Sequence, residues 1–269
     1  MKRIIAIILA TVILCLMAGA HGEDRAETTV NGQEYDVYSD IMQAVYDALA
    51  AVEENGETDR ETVIAGLTAA MPDHAEEIRT LVDIYAAIND GETMNDPEAV
   101  LPAYRYTGED SIEGAIANAL AGREYMELYL TKPGCVCIPC PIILKTEMSD
   151  DTHARVYGVF WTLNYVQVNH ILLNISGGEH TGIILLEKGG ETWQVTELQE
   201  AGEEGDFDAE IARFAGGDRK LAEQYRKARD LSEDPQLSIR KRFIREYAEA
   251  NSLDVNAFMD PYWNPVPLE

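Results

Sequence analysis

The chain has 269 residues, 46% of them hydrophobic and 26% charged, a globular composition that excludes wholesale disorder. A chain this long buries roughly 70% of its unfolded surface, so it needs neither a disulfide nor a structural metal to hold a core. Its 21 Lys and Arg stand against 48 Asp and Glu, and the net charge of −27 repels phosphate backbones and anionic headgroups, which excludes nucleic acid as an expected partner.

Residues 1–20 read as a secretory signal peptide. Lys2 and Arg3 precede an uncharged run from Ile4 to Ala20, and Ala18-Gly19-Ala20 is a small-x-small pattern that predicts cleavage after Ala20. The run is shorter than the ~20 apolar residues of a membrane span, and no other segment is apolar enough to be one. Leu14 stands where a lipoprotein needs a small residue, which disfavours lipidation of Cys15. The expectation is a secreted or envelope protein with no stable membrane span after cleavage.

Residues 21–110 read as a helical region and a connection. Ile41, Met42, Val45, Ala48, Leu49 and Val52 recur at helical spacing, and Glu53-Glu54-Asn55-Gly56 stops them. Val63, Ile64 and Leu67 repeat the pattern, and after Pro72-Asp73 a third stripe follows in Ile78, Leu81, Val82, Ile84 and Tyr85. Pro97 and Pro102 mark Glu92 to Asp110 as a connection. Residues 111–269 read as an α+β domain with a C-terminal helical extension. A helix from Ser111 to about Leu130 carries Ile112, Ile116, Leu120, Tyr125 and Leu128, and Lys132-Pro133-Gly134 ends it.

The period then turns extended. Strands are predicted over Val136–Thr146, Ala154–Val168, His170–Ser176, Thr181–Glu187 and Thr192–Leu198, with Gly177-Gly178 and Gly189-Gly190 as hairpin turns. Four or five antiparallel strands of this kind leave one face open for a helix to cover. Helices follow at Asp208–Phe214, Leu221–Arg229 and Ser238–Asn251, the last with Ile239, Phe243, Ile244 and Tyr247 on one side. The tail, with three prolines and Trp263, is expected to lie extended over the surface.

A helix followed by a curved antiparallel meander resembles the cystatin-like or NTF2-like architecture. Ile138-Pro139-Cys140-Pro141, Gly158-Val159-Phe160-Trp161, Asn164-Tyr165, Ser176-Gly177-Gly178-Glu179-His180, Val195-Thr196-Glu197 and Trp263-Asn264-Pro265-Val266, in this order, resemble a group of uncharacterised secreted proteins of gut anaerobes. The resemblance covers roughly residues 111–269. It implies a fold and a compartment, and no activity.

Cys135, Cys137 and Cys140 form CxCxxC. Soft thiolates suit zinc or copper, yet a structural site normally has four ligands and no second cysteine pair follows. One disulfide among the three is an alternative, and the plainest reading is three small buried apolar residues. No cofactor is therefore expected. His180 after Gly-Gly is a candidate base or ligand, although Ser176, Glu179 and His180 are too close in sequence for a hydrolase triad and no G-x-S-x-G occurs. Trp161, Asn164, Tyr165, His180 and Trp193 are the candidate pocket residues, since aromatic and amide side chains on a sheet suit a small ligand. Trp161, Leu163 and Tyr165 share one face and Asn164 the other. The acidic stretch Glu200 to Glu210 lacks the spacing of a calcium loop and reads as solvated.

The function expected from these features is a non-catalytic binding or interaction module for a small molecule or protein. The rivals are an extracytoplasmic enzyme using His180 with a carboxylate partner, and a metal-handling protein using the three cysteines.

Overall fold

The computed structural model describes residues 29–30, 33–34, 36–55, 60–90, 101–122, 135–201, 207–229, 234–260 and 265–268. The signal segment with Cys15, the helix expected beyond Gly122, residues 92–100 of the connection, and Trp263 lie outside the described residues.

A short ladder of β1 (Thr29–Val30) and β2 (Gln33–Glu34) precedes α1 (Asp36–Asn55), α2 (Arg60–Ala70) and α3 (Ala75–Asp90). The helical spacing read from the sequence places Ile41, Met42 and Val45 of α1 against Ile64 and Leu67 of α2 and Ile78 and Leu81 of α3. The same buried cluster takes in Val166, Val168, Ile171 and Leu173 of the sheet, so these helices share a core with it.

Asp110 caps α4 (Ser111–Ala121), where its carboxylate accepts from the backbone N–H of Ile112 at 2.9 Å and of Glu113 at 3.0 Å. The sheet is six-stranded and mostly antiparallel. Strands β3 (Val136–Met148), β4 (His153–Val168) and β5 (Ile171–Gly189) form its body, and β6 (Thr192–Glu200) pairs with the second half of β5. Helices α5 (Phe207–Ala215), α6 (Arg219–Ala228) and α7 (Asp234–Ala250) follow. Among the described residues there are seven α-helices, and none is long and apolar enough to cross a membrane.

One expectation is corrected. Gly177-Gly178 is not a turn, because β5 runs unbroken through it. A Cβ on Gly177 would stand 2.6 Å from Leu163 Cδ2 and 2.8 Å from the Thr162 carbonyl, so glycine here serves close approach to β4. The end of the chain adds two strands to the sheet. Ala257, Phe258 and Met259 form a wholly buried β7 (Ala257–Met259) parallel to Ile171-Leu172. Strand β8 (Pro265–Pro267) pairs with β7 at the sheet's edge, the one place where prolines without N–H donors are tolerated.

Alternation divides the sheet's side chains between two faces. One face lies under the C-terminal helices. There Val136, Ile138, Leu163 and Tyr165 meet Phe243, Ile244 and Tyr247 of α7, and Ile142, Val159 and Ile183 meet Ile211, Leu221 and Tyr225 of α5 and α6. The other face is covered at one end by α1–α3 and at the other by Ile116 and Leu120 of α4, which pack on Val156, Phe160 and Ile184. Arg242 of α7 grips both oxygens of Glu113 of α4, at 2.6 and 3.1 Å, tying together the helices that flank β3.

The β3–β4 turn carries an exposed pair. Hydrogen bonding to Asp150 at 2.9 Å, then that residue's charge, raises the pKa of His153 above its usual 6.5. The raised value means that the pair's stabilisation is complete below pH 6.5 and disappears as pH climbs through the folded-state pKa. The His153 ring resonances should therefore titrate above 6.5 by NMR and return to about 6.5 in Asp150→Asn.

Candidate functional site

On the face under α1–α4, the described side chains between the two apolar clusters are mostly small and polar. Cross-strand register sets them in rows. Cys137, Asn164 and Ser176 lie abreast across β3, β4 and β5. Pro139, Thr162 and Gly178 form the next row, then Pro141, Phe160 and His180, then Gly158 and Gly182 with Glu200 of β6.

Glu200 accepts from Nδ1 of His180, which fixes the imidazole's tautomer and turns Nε2 inward, 3.4 Å from the Thr162 hydroxyl. The His180 side chain is 13% exposed and that of Glu200 37%, so the pair stands at the rim of the strip. Thr162 is wholly buried, and its hydroxyl also reaches the Gly178 carbonyl at 3.4 Å. The imidazole ring lies over Gly178, where an added Cβ would meet Nε2 at 3.5 Å.

Asn164 sits at the buried end of the strip. Its Nδ2 donates to Ser176 Oγ at 2.9 Å, while Oδ1 is buried and has no hydrogen-bond partner. Turning the amide over exchanges which atom is satisfied and still leaves one orphan. The site is held by a β-bulge where Ile175 drops out of register between Asn164 and Tyr165. Asn174 secures that bulge by donating to the carbonyls of Asn164 at 3.3 Å and Ser176 at 3.1 Å.

The sheet thus divides the five expected pocket residues. Asn164 and His180 fall in one strip. Trp193 shares their face but packs in the α4 cluster on Ala154, Val156 and Leu186. Trp161 and Tyr165 point to the opposite face, beneath α7. His180 lies in mid-strand rather than on a turn.

The cysteines are also divided. Cys135 and Cys137 share the face under α1–α4, and Cys140 points beneath the C-terminal helices. All three are buried thiols, and no disulfide joins them. Among the described residues, no group of three or more His, Cys, Asp or Glu is placed to hold a metal ion. Burial pushes the Cys137 thiol up to about 12 and the Cys140 thiol up to about 11. At pH 8 neither should react with iodoacetamide in the folded protein, and both should label fully in 6 M guanidinium, as followed by mass spectrometry.

No family model matches this chain, and neither does any curated protein or solved structure. The functional reading rests on the strip's chemistry.

Two residues escaped the sequence reading. Glu200 was assigned to a solvated acidic stretch, yet the turn at Gly189-Gly190 folds β6 back so that residue 200 returns beside residues 180–182. Arg240 lies three residues before Phe243 and seven before Tyr247, which is the core-facing spacing of α7. A charge inside an apolar stripe was the available signal.

Proposed function

We propose that this chain is an exported, non-catalytic binding module with a cystatin- or NTF2-like sheet, and that it takes a small ligand on the strip of Asn164, Thr162, Ser176 and His180. The orphaned amide atom of Asn164 carries the proposal. Leaving such a group buried and unsatisfied costs about 1–3 kcal/mol, which a ligand's polar group would recover on binding. Glu200 beside His180 and the chain's charge of −27 favour a neutral or cationic ligand rich in donors, such as an amine, amide or sugar.

Titration of small amines, amides and sugars, watched at the His180 ring by NMR, should give saturable shifts with one class and return the compound unchanged. Asn164→Leu should abolish the response while keeping the fold. The absence of any saturable response, or an equal one in Asn164→Leu, sinks the proposal.

The Glu200–His180 pair also favours a second reading, in which Glu200 orients His180 as a general base. Turnover of p-nitrophenyl esters that disappears in both His180→Ala and Glu200→Gln would establish it in place of the first.

A further inference from the structure

The opposite face of the sheet holds a second polar cluster, closed off from the strip described above. Arg240 is 1% exposed, and its Nε and both Nη atoms are buried without a hydrogen-bond partner. Tyr165 is fully buried with an unpartnered hydroxyl, and the indole Nε1 of Trp161 is likewise buried and unpartnered. Arg240 lies on the face of α7 that carries Phe243 and Tyr247, and those two side chains share one buried cluster with Tyr165 and Trp161; its charge acts on both the Tyr165 hydroxyl and the Cys140 thiol. Cys140 is the cross-strand neighbour of Trp161. The orphan atoms of Arg240 and Trp161 are donors, and the orphan Tyr165 hydroxyl can donate as well.

Donors without acceptors are the inverse of a self-sufficient core. A buried guanidinium without a hydrogen-bond partner is far more costly than an unpaired amide. The acids nearby do not answer it. Glu246 carries a buried, unpartnered Oε2, yet it lies six residues along α7, about 120° around the helix from Arg240, and its Oε1 faces Arg242. Asp260, just beyond β7, acts on Tyr165 without a hydrogen bond to Arg240.

We propose that Arg240, Tyr165 and Trp161 form a buried binding site for a small carboxylate. The planar guanidinium fork matches the two oxygens of a carboxylate in a bidentate pair, and the phenol and indole donate to the remaining lone pairs. The site is independent of the Asn164–His180 strip, which lies across the sheet and lacks a cation of this kind. A single carboxylate of formate or acetate size suits an enclosed position between α7 and the sheet.

The test uses the full chain without its signal segment, in thermal unfolding and calorimetric titrations with sodium formate and sodium acetate. Total ionic strength is held constant with sodium chloride, because added salt alone screens the protein's charge. Formate or acetate should raise the melting temperature saturably above the chloride reference. Arg240→Leu should fold, with stability equal to or above that of the ligand-free wild type, and should weaken binding by at least about tenfold. Tyr165→Phe should keep the fold and weaken binding about three- to tenfold, which guards the test against a failure of the arginine variant to fold. His180→Ala should leave carboxylate binding unchanged, separating this site from the strip. Three results overturn the proposal: no saturable response in the wild type, a response to chloride as large as that to either carboxylate, or undiminished binding in both variants.

Discussion

Gly182→Ala is expected to destabilise the protein by about 3 kcal/mol, at the upper end of what overpacking usually costs. A Cβ on Gly182 would stand 1.9 Å from the Gln199 carbonyl oxygen and 2.9 Å from its carbon. These are backbone atoms, so no rotamer change can relieve the clash, and β6 has to move away from β5. Tyr225 adds to the constraint, because its buried hydroxyl donates to the Gly182 carbonyl at 2.7 Å and fixes the strand from the α6 side. For a chain of this size the loss corresponds to a fall in melting temperature on the order of 10 °C. Gly189→Ala is the matched control, since its added Cβ meets nothing within 4 Å, and its melting curve should be unchanged or slightly raised. Equal melting temperatures for the two variants would remove the close approach as an explanation. The same shift of β6 would carry Glu200, the residue paired with Gly182, away from His180. Ligand response at the strip should therefore weaken in Gly182→Ala even at temperatures where the protein remains folded.

That coupling shows why the fold was more legible in the sequence than the site. Periodicity is a local property, and it identified the α+β class, the helices now labelled α1–α3 and α5–α7, and β3, β4 and β6 to within a few residues. It failed where a residue's role depends on something distant. Gly177-Gly178 has the composition of a turn, but what it answers to is the Leu163 side chain and the Thr162 carbonyl on the neighbouring strand. Glu200 sat within an acidic run whose composition says solvent, while hairpin geometry returns it to His180. That geometry was within reach of counting from Gly189-Gly190, apart from the shift of register between Leu185 and Leu186. The division of the pocket residues follows from strand parity, which separated Trp161 and Tyr165 from Asn164 in advance. Pairing of β7 with β5 joins residues more than 80 positions apart and leaves no trace in any window of sequence.

Phe258→Ala tests that distant pairing directly and is expected to cost about 3–5 kcal/mol, the range for removing a buried aromatic ring. Phe258 is 0% exposed at the centre of β7, opposite Leu172 on one side and Val266 on the other. Its ring meets Tyr165 edge-on, with centroids 6.5 Å apart and planes at 82°, the arrangement favoured by the charge distribution of aromatic rings. Were β7 lying exposed on the surface, the substitution would change stability by no more than about 0.5 kcal/mol, as for an ordinary surface position. Met148→Ala supplies that reference, because Met148 is 51% exposed. A melting temperature on the order of 10 °C or more below this control is the expected result, and equality with it would place Phe258 outside the core. The consequence reaches the buried arginine as well. Without the Phe258 edge, Tyr165 loses one of the contacts that hold its ring in place, so Phe258→Ala should also weaken formate and acetate binding. A variant that loses stability but binds both anions as tightly as the wild type would show that β7 supports the sheet and contributes nothing to the placement of Tyr165.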